Sequence, residues 1–401
     1  MPQAPLMPVA EAQERLLADM KLTLATEKVS YLDALGRVVA QSPVAQVNVP
    51  PCDNSSMDGY AVNTRDLSPD QPVTLSVSQR ICAGDAPAPL VAGTCARIFT
   101  GAAMPQGANA IVIQENVTVE EGGVVFPAGV EAGANIRPCG QDVQKGADVL
   151  PVGHRIQPMD IGLLASTNTT ELTVFAPLKV AIVSTGNELV EPGQSCAHGQ
   201  IYNSNGVMLS ALLAQMGITQ VERHHCRDDL DETLALLSDL MTRVDVIISS
   251  GGVSVGDEDH VKTALMQLGQ LDFWKIAIKP GKPLAYGRLG KTPFFGLPGN
   301  PASALITFML FVRPALQVLQ GGQAVLPELQ YWPAGFSRSK PNSRQEYLRV
   351  RLQDGELKAH TNQSSGMLSS ASWATGLAVV EPQQTLSEGD HVGYLDFKLL
   401  I

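Results

Sequence analysis

Between about Leu178 and Leu319 the chain alternates short, wholly apolar runs with helix-patterned stretches, and this alternation constrains the fold more than any other feature of the sequence. LKVAIVS (178–184) is apolar and rich in β-branched residues, without the every-second-residue polarity of a half-exposed strand. It reads as a strand buried on both faces. A helix through Gln215 follows, with Asn205 as its cap and Gly217 as its stop, and then the strand ITQVE. DDLDETLALLSDLMTR is the next helix, with Asp228 as N-cap and Leu230, Leu234, Leu237 and Met241 on one face. VDVIISS (244–250) is a second buried strand, and a short helix runs from about Asp259 to Leu268. LDFWKIAI and PFFGL supply further strands, and a helix from about Pro301 to Leu319 closes the segment with proline in its first turn. Parallel strands need crossovers of this length, so the spacing predicts βαβ units and a mostly parallel sheet with helices on both faces.

A chain of 401 residues is too long for one core. From Asp53 to about Gly140 only short strand-like runs occur (PVTLSV, CARIFTG, AIVIQEN, VVFPA), punctuated by Gly and Pro, which predicts an all-β module. From about Leu326 to Ile401, EYLRVRL and ELKAHT are joined by Asp354-Gly355, a hairpin signal, and the segment reads as a small β-barrel or sandwich. Residues 8–25 and PMDIGLLAS (158–166) are helical by pattern and flank the all-β module, so that module reads as an insertion into a helical region.

Charge and composition remove several function classes. With a net charge of -11 and 5% aromatic residues, the chain has neither the basic face nor the stacking platform of a general nucleic-acid binder. The start, MPQAPLMPVAEAQERLL, lacks a basic n-region followed by an apolar stretch, so no signal peptide is expected. The apolar stretch around Ala304–Val312 is far short of the ~18 residues of a membrane span. The six cysteines (Cys52, Cys82, Cys95, Cys139, Cys196, Cys226) lie far apart, which argues against a zinc site or a disulfide framework and for a cytoplasmic protein.

In a parallel sheet, ligands sit outside the carboxyl ends of the strands. Four loops with unusual residues are expected there: S-T-G-N-E-L, S-S-G-G-V-S-V-G-D-E-D, K-P-G-K-P and L-P-G-N-P. Any one of them could be turn chemistry, but four on one edge point to a site. Gly251, Gly252 and Gly256 let backbone N–H groups converge on an oxyanion, with Ser250 and Ser254 adding hydroxyls and Thr185 and Gly186 the same one strand over. Asn300 with Pro301 opens a long helix whose positive end favours an anion. Lys275, Lys279 and Lys282 form a cationic cluster in an acidic chain, in a loop stiffened by Pro280 and Pro283. Glu188, Asp257, Glu258 and Asp259, with Asp228, lie on the same edge. Carboxylates beside a polyanion repel it unless a hard divalent cation bridges them, so the mixed rim suggests a phosphorylated small molecule held with such a cation. Asp228 has the competing role of helix cap, and Asp257 and Glu258 that of solvated acids. DNSSMDGYAV (53–62), in which Asp58-Gly59 reads as a turn, and GQD (140–142) have no role from spacing alone; adjacent His224 and His225 read as a strand-end pair, not a metal site.

DNSSMDGYAV, FTGAAMPQGANAIVIQE, STGNEL, IISSGGVSVGDED with IAIKPGKP, and GLPGNPAS together resemble the molybdopterin molybdenumtransferases, the MoeA family that includes the gephyrin E domain. The similarity runs in order along essentially the whole chain. It implies a multidomain α/β plus β fold: a helical domain from 1–52 and 141–176, an inserted β lid at 53–140, a three-layer α/β molybdopterin-binding domain at 177–326 and a C-terminal β-barrel at 327–401. It implies insertion of molybdate into adenylylated molybdopterin, with Mg²⁺ or another divalent cation and loss of AMP. It also implies an elongated homodimer and a transient contact with the upstream adenylyltransferase.

The same resemblance implies residue roles. Ser250, Gly251, Gly252, Ser254 and Gly256 would cradle the phosphate end of the pterin, with Thr185, Gly186 and the Pro298, Gly299, Asn300, Pro301 turn around it. Glu188, Asp228 and Asp259 would hold the cation or orient the anhydride. Lys275, Lys279 and Lys282 would neutralise the oxyanions, molybdate included, with Pro283 and Ser303 nearby. Arg349 and Ser365 would complete the molybdate pocket from the barrel side, and Asp58, Thr100 and Asp142 would complete the cleft of the partner subunit. Glu188, Asp259, Lys279, Lys282 and Asn300 should then line one cavity. Two departures stand out: T-G-D-E-L is here T-G-N-E-L with Asn187, and R-R-x-G-E-D is R-P-C-G-Q-D with Gln141. The competing readings are a molybdopterin-binding scaffold and a nucleotide hydrolase built on the central domain alone.

Overall fold

Three runs, Lys179–Thr185, Val246–Ser250 and Thr292–Leu297, are buried almost end to end. Such strands need partners on both edges and cover on both faces. The computed structural model describes residues 6–21, 23–253 and 260–400. The chain divides into two compact units, one made of the residues up to Glu27, Gly36–Ala40 and everything from Val174, the other of Lys28–Leu35 and Gln41–Thr173.

In the first unit, helix α1 (Val9–Asp19) precedes β1 (Lys179–Thr185), α2 (Ser204–Gln215), β2 (Gln220–Cys226), α3 (Leu230–Arg243), β3 (Val246–Ser250) and α4 (His260–Leu268). Then come β4 (Gly269–Trp274), β5 (Ala285–Leu289), β6 (Thr292–Leu297) and a helix, α5, over Pro301–Leu319. The sheet order is β2-β1-β3-β6-β5-β4. Its first four strands are parallel, while β5 and β4 add antiparallel. Two expectations are corrected here. AYGRL forms β5, a strand the apolar pattern did not announce, and LDFWKIAI is two strands, because Ile278–Lys279 leaves the sheet and pairs in parallel with Gln345–Glu346.

Cap positions also differ. Asn203, not Asn205, caps α2 by accepting from the Gly206 N–H at 3.0 Å, and Asp229, not Asp228, caps α3 by accepting from the Glu232 N–H at 2.8 Å. In both helices a neighbouring polar residue takes the cap and leaves the expected one free for another partner.

Helix α5 is 19 residues long with mean hydropathy 1.7, so by length and composition it could cross a membrane, contrary to the reading of a nine-residue apolar stretch. It is 83% buried within its unit, and the burial accounts for the composition. Its middle, Phe308–Val312, widens to a π turn just before Pro314. Proline has no N–H for the carbonyl four residues earlier, and Gln13 Nε2 of α1 supplies that bond to Leu310 O at 2.8 Å. Val9, Ala12 and Leu16 of α1 lie in the same buried cluster as Phe311 and Leu316 of α5. Asp19, at the end of α1, is clasped by Arg288 at 2.6 Å and by the Tyr286 hydroxyl. The first helix is therefore part of the α/β unit and not of a helical domain flanking the lid. Apolar matching to α5 decides its placement.

The C-terminal part is a barrel. Strands β7 (Gln330–Pro333), β8 (Gln345–Gln353), β9 (Glu356–Ala359), β10 (Gly376–Val380) and β11 (His391–Asp396) pair in the circular order β8-β10-β11-β7. A bridge between Ala334 and Leu357 carries the ring on to β9, which pairs back to β8. The Asp354-Gly355 turn has φ of 51° and 79°, as a two-residue hairpin with right-handed strand twist requires. Glu346 is 2% exposed and accepts from Lys279 at 2.6 Å and Arg338 at 2.8 Å, tying the Ile278–Lys279 strand to the barrel. Burial pushes the Glu346 carboxyl up, but the hydrogen bonds from Arg338 and Lys279 outweigh it and hold the group below the ordinary glutamate range.

The second unit is built on a six-stranded sheet in the order Ala110–Ile113, Gly59–Val62, Thr94–Ile98, Val73–Ile81, Gly123–Phe126, Thr118–Glu120. Asn54–Ser55 pairs antiparallel with Ile136–Arg137 where the chain enters and leaves the module. Gly59 opens a strand and does not turn the chain: a Cβ there would run into Val112 O of the adjacent strand. Outside the sheet this unit contains the helix Pro158–Ser166, with Asp160 accepting from the Gln157 N–H at 2.7 Å. The helical expectation for 1–52 and 141–176 thus reduces, among the described residues of this unit, to that one α-helix.

Two outcomes follow from these anchors. Leu16→Ala, at a residue 1% exposed, should lower the stability of the α/β unit by about 3 kcal/mol in urea unfolding. Glu346→Gln should cost about 3 kcal/mol at neutral pH by leaving Arg338 and Lys279 without a counter-charge. The folded pKa of Glu346 is depressed, so its contribution is full above the ordinary value of 4.5 and is lost as pH falls through the folded pKa. The substitution should therefore flatten the acid limb of the stability profile, as read by unfolding midpoints between neutral and acid pH.

Candidate functional site

Register brings the loops together. Ser250 of β3 is paired with Ser184 of β1 on one side and with Leu297 of β6 on the other, so the three central strands end level. The connections from β1 and β3 run to opposite sides of the sheet, which opens a crevice between their carboxyl ends. A cavity of about 730 Å³ lies there. Thr185, Gly186 and Glu188 line it from the loop after β1, and Asp228 from the loop after β2. Ser250, Gly251 and Gly252 enter after β3, Pro298, Gly299, Asn300 and Pro301 before α5, and Pro283 from the proline-stiffened loop. At Gly251, with φ of +93°, a Cβ would lie 2.8 Å from Thr185 Oγ1, so only glycine lets the two loops approach this closely.

The lining is polar and incompletely satisfied. Of the lining residues, Thr185 Oγ1 and Asn205 Oδ1 are buried without a hydrogen-bond partner among the described residues, as is Ser249 Oγ on β3 outside the lining. Each such atom costs roughly 1–3 kcal/mol. Glu188 and Asp228 bring two carboxylates. Asp228 accepts from the Asn187 N–H at 3.2 Å and returns its own N–H to Asn187 Oδ1 at 3.3 Å, so the residue that departs from T-G-D-E-L fixes the neighbouring loop. Among the described residues neither carboxylate has a lysine or arginine partner. Two unneutralised carboxylates in a polar cavity suit a hard divalent cation that keeps several waters. No cluster of three His, Cys, Asp or Glu side chains occurs among the described residues. Asp259, expected as the third acid, lies outside them, as do Ser254, Gly256, Asp257 and Glu258.

The cations lie elsewhere. A second cavity of about 310 Å³ is lined by Lys279, Arg338, Glu346 and Arg349. Arg349 is 1% exposed; its Nε donates to Ser370 Oγ at 3.1 Å and its Nη2 to Ser364 O at 2.9 Å. No carboxylate among the described residues pairs with it, and burial pulls its pKa down. A buried guanidinium without a counter-charge is a strong attractor for an anion. Ser365 contributes its carbonyl, which accepts from the Ala302 N–H at 3.0 Å at the start of α5, and the adjacent Gly366 reaches the larger cavity.

The single-cavity expectation is therefore corrected. Glu188 and Asn300 line the larger cavity and Lys279 the smaller one, while Lys282 lines neither. Lys279 does not face a ligand as a free ammonium, because Glu346 holds it. Lys275, at φ of +79°, and Ser303, 3% exposed on α5, also line neither cavity.

In the other unit, Asp58 accepts from both the backbone N–H and the hydroxyl of Thr100, each at 2.8 Å. These two bonds, the backbone one foremost, hold its carboxyl below the ordinary aspartate range. The motifs DNSSMDG and FTGA thus meet in space. Asp142 is exposed, and its N–H donates to Val49 O at 2.9 Å.

Ile201, Tyr202, Asn203, Ser204 and Asn205 line the larger cavity without having been singled out for it. The signal was legible: I-Y-N-S-N offers one more asparagine than a helix cap uses. Arg338 and Glu346 were missed because nothing local marks a buried ion pair eight residues apart.

The chain matches three family descriptions in order: MoeA N-terminal region (domain I and II) over residues 7–168, probable molybdopterin binding domain over 181–318, and MoeA C-terminal region (domain IV) over 332–397. It is 40% identical over 313 residues to the molybdopterin molybdenumtransferase of Haemophilus influenzae, covering 78% of this chain and 77% of that one. It is 35% identical over 386 residues to the enzyme of the same name from Synechococcus elongatus, covering 93% and 95%. The crystal structure of the molybdopterin biosynthesis moeA protein from Pyrococcus horikoshii OT3 superposes with a TM-score of 0.83 at 28% identity, over 97% of this chain and 99% of that one. A central α/β domain with its polar crevice, a β module before it and a barrel after it, matched along their length, make this chain a member of the MoeA family of molybdopterin molybdenumtransferases.

Proposed function

We propose that the chain inserts molybdenum from molybdate into adenylylated molybdopterin, releasing AMP and yielding molybdenum cofactor. The observation that carries this reading is the division of labour between the two cavities. The larger offers a polar lining from several strand-end loops and two carboxylates without a lysine or arginine partner among the described residues, which suits a phosphoanhydride with its cation. The smaller offers Arg349 without a counter-charge, which suits a small tetrahedral dianion.

In this reading, Thr185, Gly186, Ser250, Gly251 and Gly252 cradle the phosphate end, with Ser254 and Gly256 continuing the loop. Pro298, Gly299, Asn300 and Pro301 bring the start of α5 to the same anion. Glu188 and Asp228, with Asp259, would hold Mg²⁺, which supplies charge neutralisation at the anhydride. Arg349 receives molybdate at the smaller cavity, where Lys279 stands on the wall already paired with Glu346; Lys275, Lys282, Pro283, Ser303 and Ser365 lie outside that cavity's lining. Cleavage of the anhydride releases AMP, and the two dithiolene sulfurs take over ligation of the metal. The subunits pair, and Asp58, Thr100 and Asp142 of one complete the cleft of the other. Leu32 and Met159, 68% and 72% exposed in the described unit, are the kind of apolar surface such pairing would cover. Transient contact with the adenylyltransferase and a cytoplasmic setting belong to the same reading.

Purified protein, adenylylated molybdopterin and Mg²⁺ should release AMP faster with molybdate than without it; AMP release indifferent to molybdate rejects the reaction. Arg349→Ala should raise the molybdate concentration needed for half-maximal rate about tenfold or more. Glu188→Gln and Asp228→Asn should each raise the Mg²⁺ requirement, measured as AMP release against metal concentration, and leave the molybdate requirement in place.

A further inference from the structure

The chain enters and leaves the β module of the second unit along two antiparallel runs. Asn54 faces Arg137 and Ser55 faces Ile136 on the module side, and Val49 bridges Val143 on the other side. Cys52 and Cys139 lie between these pairings. Continued by two residues, the Asn54–Arg137 register sets them opposite each other. The contacts agree, because both chain neighbours of Cys52 hold Cys139. Its thiol donates to Pro51 O at 3.2 Å, the carbonyl of the peptide bond that Cys52 completes, and its N–H donates to Asp53 Oδ1 at 2.8 Å. The next N–H, of Gly140, donates to Pro50 O at 2.9 Å, so the two runs stay in contact past the cysteines.

Residues directly opposite on antiparallel strands have Cα atoms about 4.5–5.5 Å apart, inside the range of about 4.4–6.8 Å that a disulfide spans. Both cysteines are free thiols and both are exposed, so an oxidant can reach them. Cys95 of the same unit is buried, and Cys196 and Cys226 belong to the other unit. Almost the whole β module lies between Cys52 and Cys139 in sequence, which is why spacing alone gives no sign of a pair.

We propose that Cys52 and Cys139 are a reversible oxidation site, a dithiol that a low-molecular-weight disulfide such as oxidised glutathione converts to an intramolecular disulfide across the neck of the module. One cysteine attacks the S–S bond of the oxidant. That bond breaks, and the first glutathione leaves with the proton that the protein thiol gave up. The second cysteine attacks the mixed disulfide and expels the other glutathione, which takes the second proton. The two protein sulfurs thus lose two electrons, and the oxidant is reduced to two thiols. The new bond ties the entering run to the leaving run beside Asp53 and closes a loop that contains the module, which restrains its opening. None of this depends on the proposed reaction.

The test equilibrates the full chain, freed of reductant, with mixtures of reduced and oxidised glutathione, quenches with acid, and reads the digest by mass spectrometry. The wild-type chain should yield peptides joined through Cys52 and Cys139, two hydrogens lighter than the free peptides together, and dithiothreitol should separate them again. Cys52→Ser and Cys139→Ser should each accumulate a glutathione adduct on the cysteine that remains, because no neighbouring thiol resolves it. Three results overturn the proposal: stable adducts on both cysteines of the wild-type chain, two unmodified thiols at the most oxidising ratio, or a link between two chains, seen at doubled mass on a non-reducing gel. The wild-type digest decides the matter even where a variant fails to fold.

Discussion

Parallel pairing of β1 with β3 and of β3 with β6 is the constraint on which the site depends. These strands are buried on both faces, so every backbone group along them needs a partner from the adjacent strand, and a slip of one residue would turn their side chains to the wrong helix layer. The register that satisfies them also sets Ser184, Ser250 and Leu297 side by side. Everything polar in the crevice follows from where those strands stop. The loops contribute glycine where two backbones must approach, and the starts of α2 and α5 line the same crevice.

Sign of charge is handled by separation. Carboxylates gather in the larger cavity and guanidinium and ammonium groups in the smaller one, and the strand Ile278–Lys279, paired with the barrel, brings Lys279 to the wall of the second. Glu346 draws Lys279 and Arg338 into an ion pair and leaves Arg349 as the cation that no carboxylate among the described residues answers. The distribution is what distinguishes this arrangement from one mixed rim. A reader of the sequence sees K-P-G-K-P as a cluster of like charges, whereas the fold spends one of those lysines on structure.

Much of the architecture was legible because it is local. Apolar runs gave β1, β3 and β6, proline marked the start of α5, and Asp354-Gly355 gave the barrel hairpin. What escaped was set by long-range contacts. AYGRL is too mixed to announce a strand, yet β5 exists because β6 and β4 offer it two edges. Asp228 and Asn205 looked like caps because each precedes or opens a helical pattern, but Asp229 and Asn203 took those duties, and only the fold shows what the displaced residues touch. Twelve of the anticipated cavity residues come together because the strand-end loops are consecutive in pattern. Lys275 and Lys282 do not, because the strand between them, Ile278–Lys279, pairs with the barrel, and Ser303 does not, because it is buried on α5. The meeting of Asp58 with Thr100 joins two motifs that sequence spacing left unrelated.

The placement of α1 bears on how such a chain is made. Its apolar face rests on α5, and Gln13 completes the carbonyl that Pro314 leaves open, yet almost three hundred residues separate the two in sequence. A ribosome delivers the helix first and its cover near the end, with an entire β module synthesised in between. For most of translation, Val9, Ala12 and Leu16 have no native surface to bury against. The nascent helix is thus a sticky segment awaiting a late partner, and truncation before Leu319 would strand it in that condition.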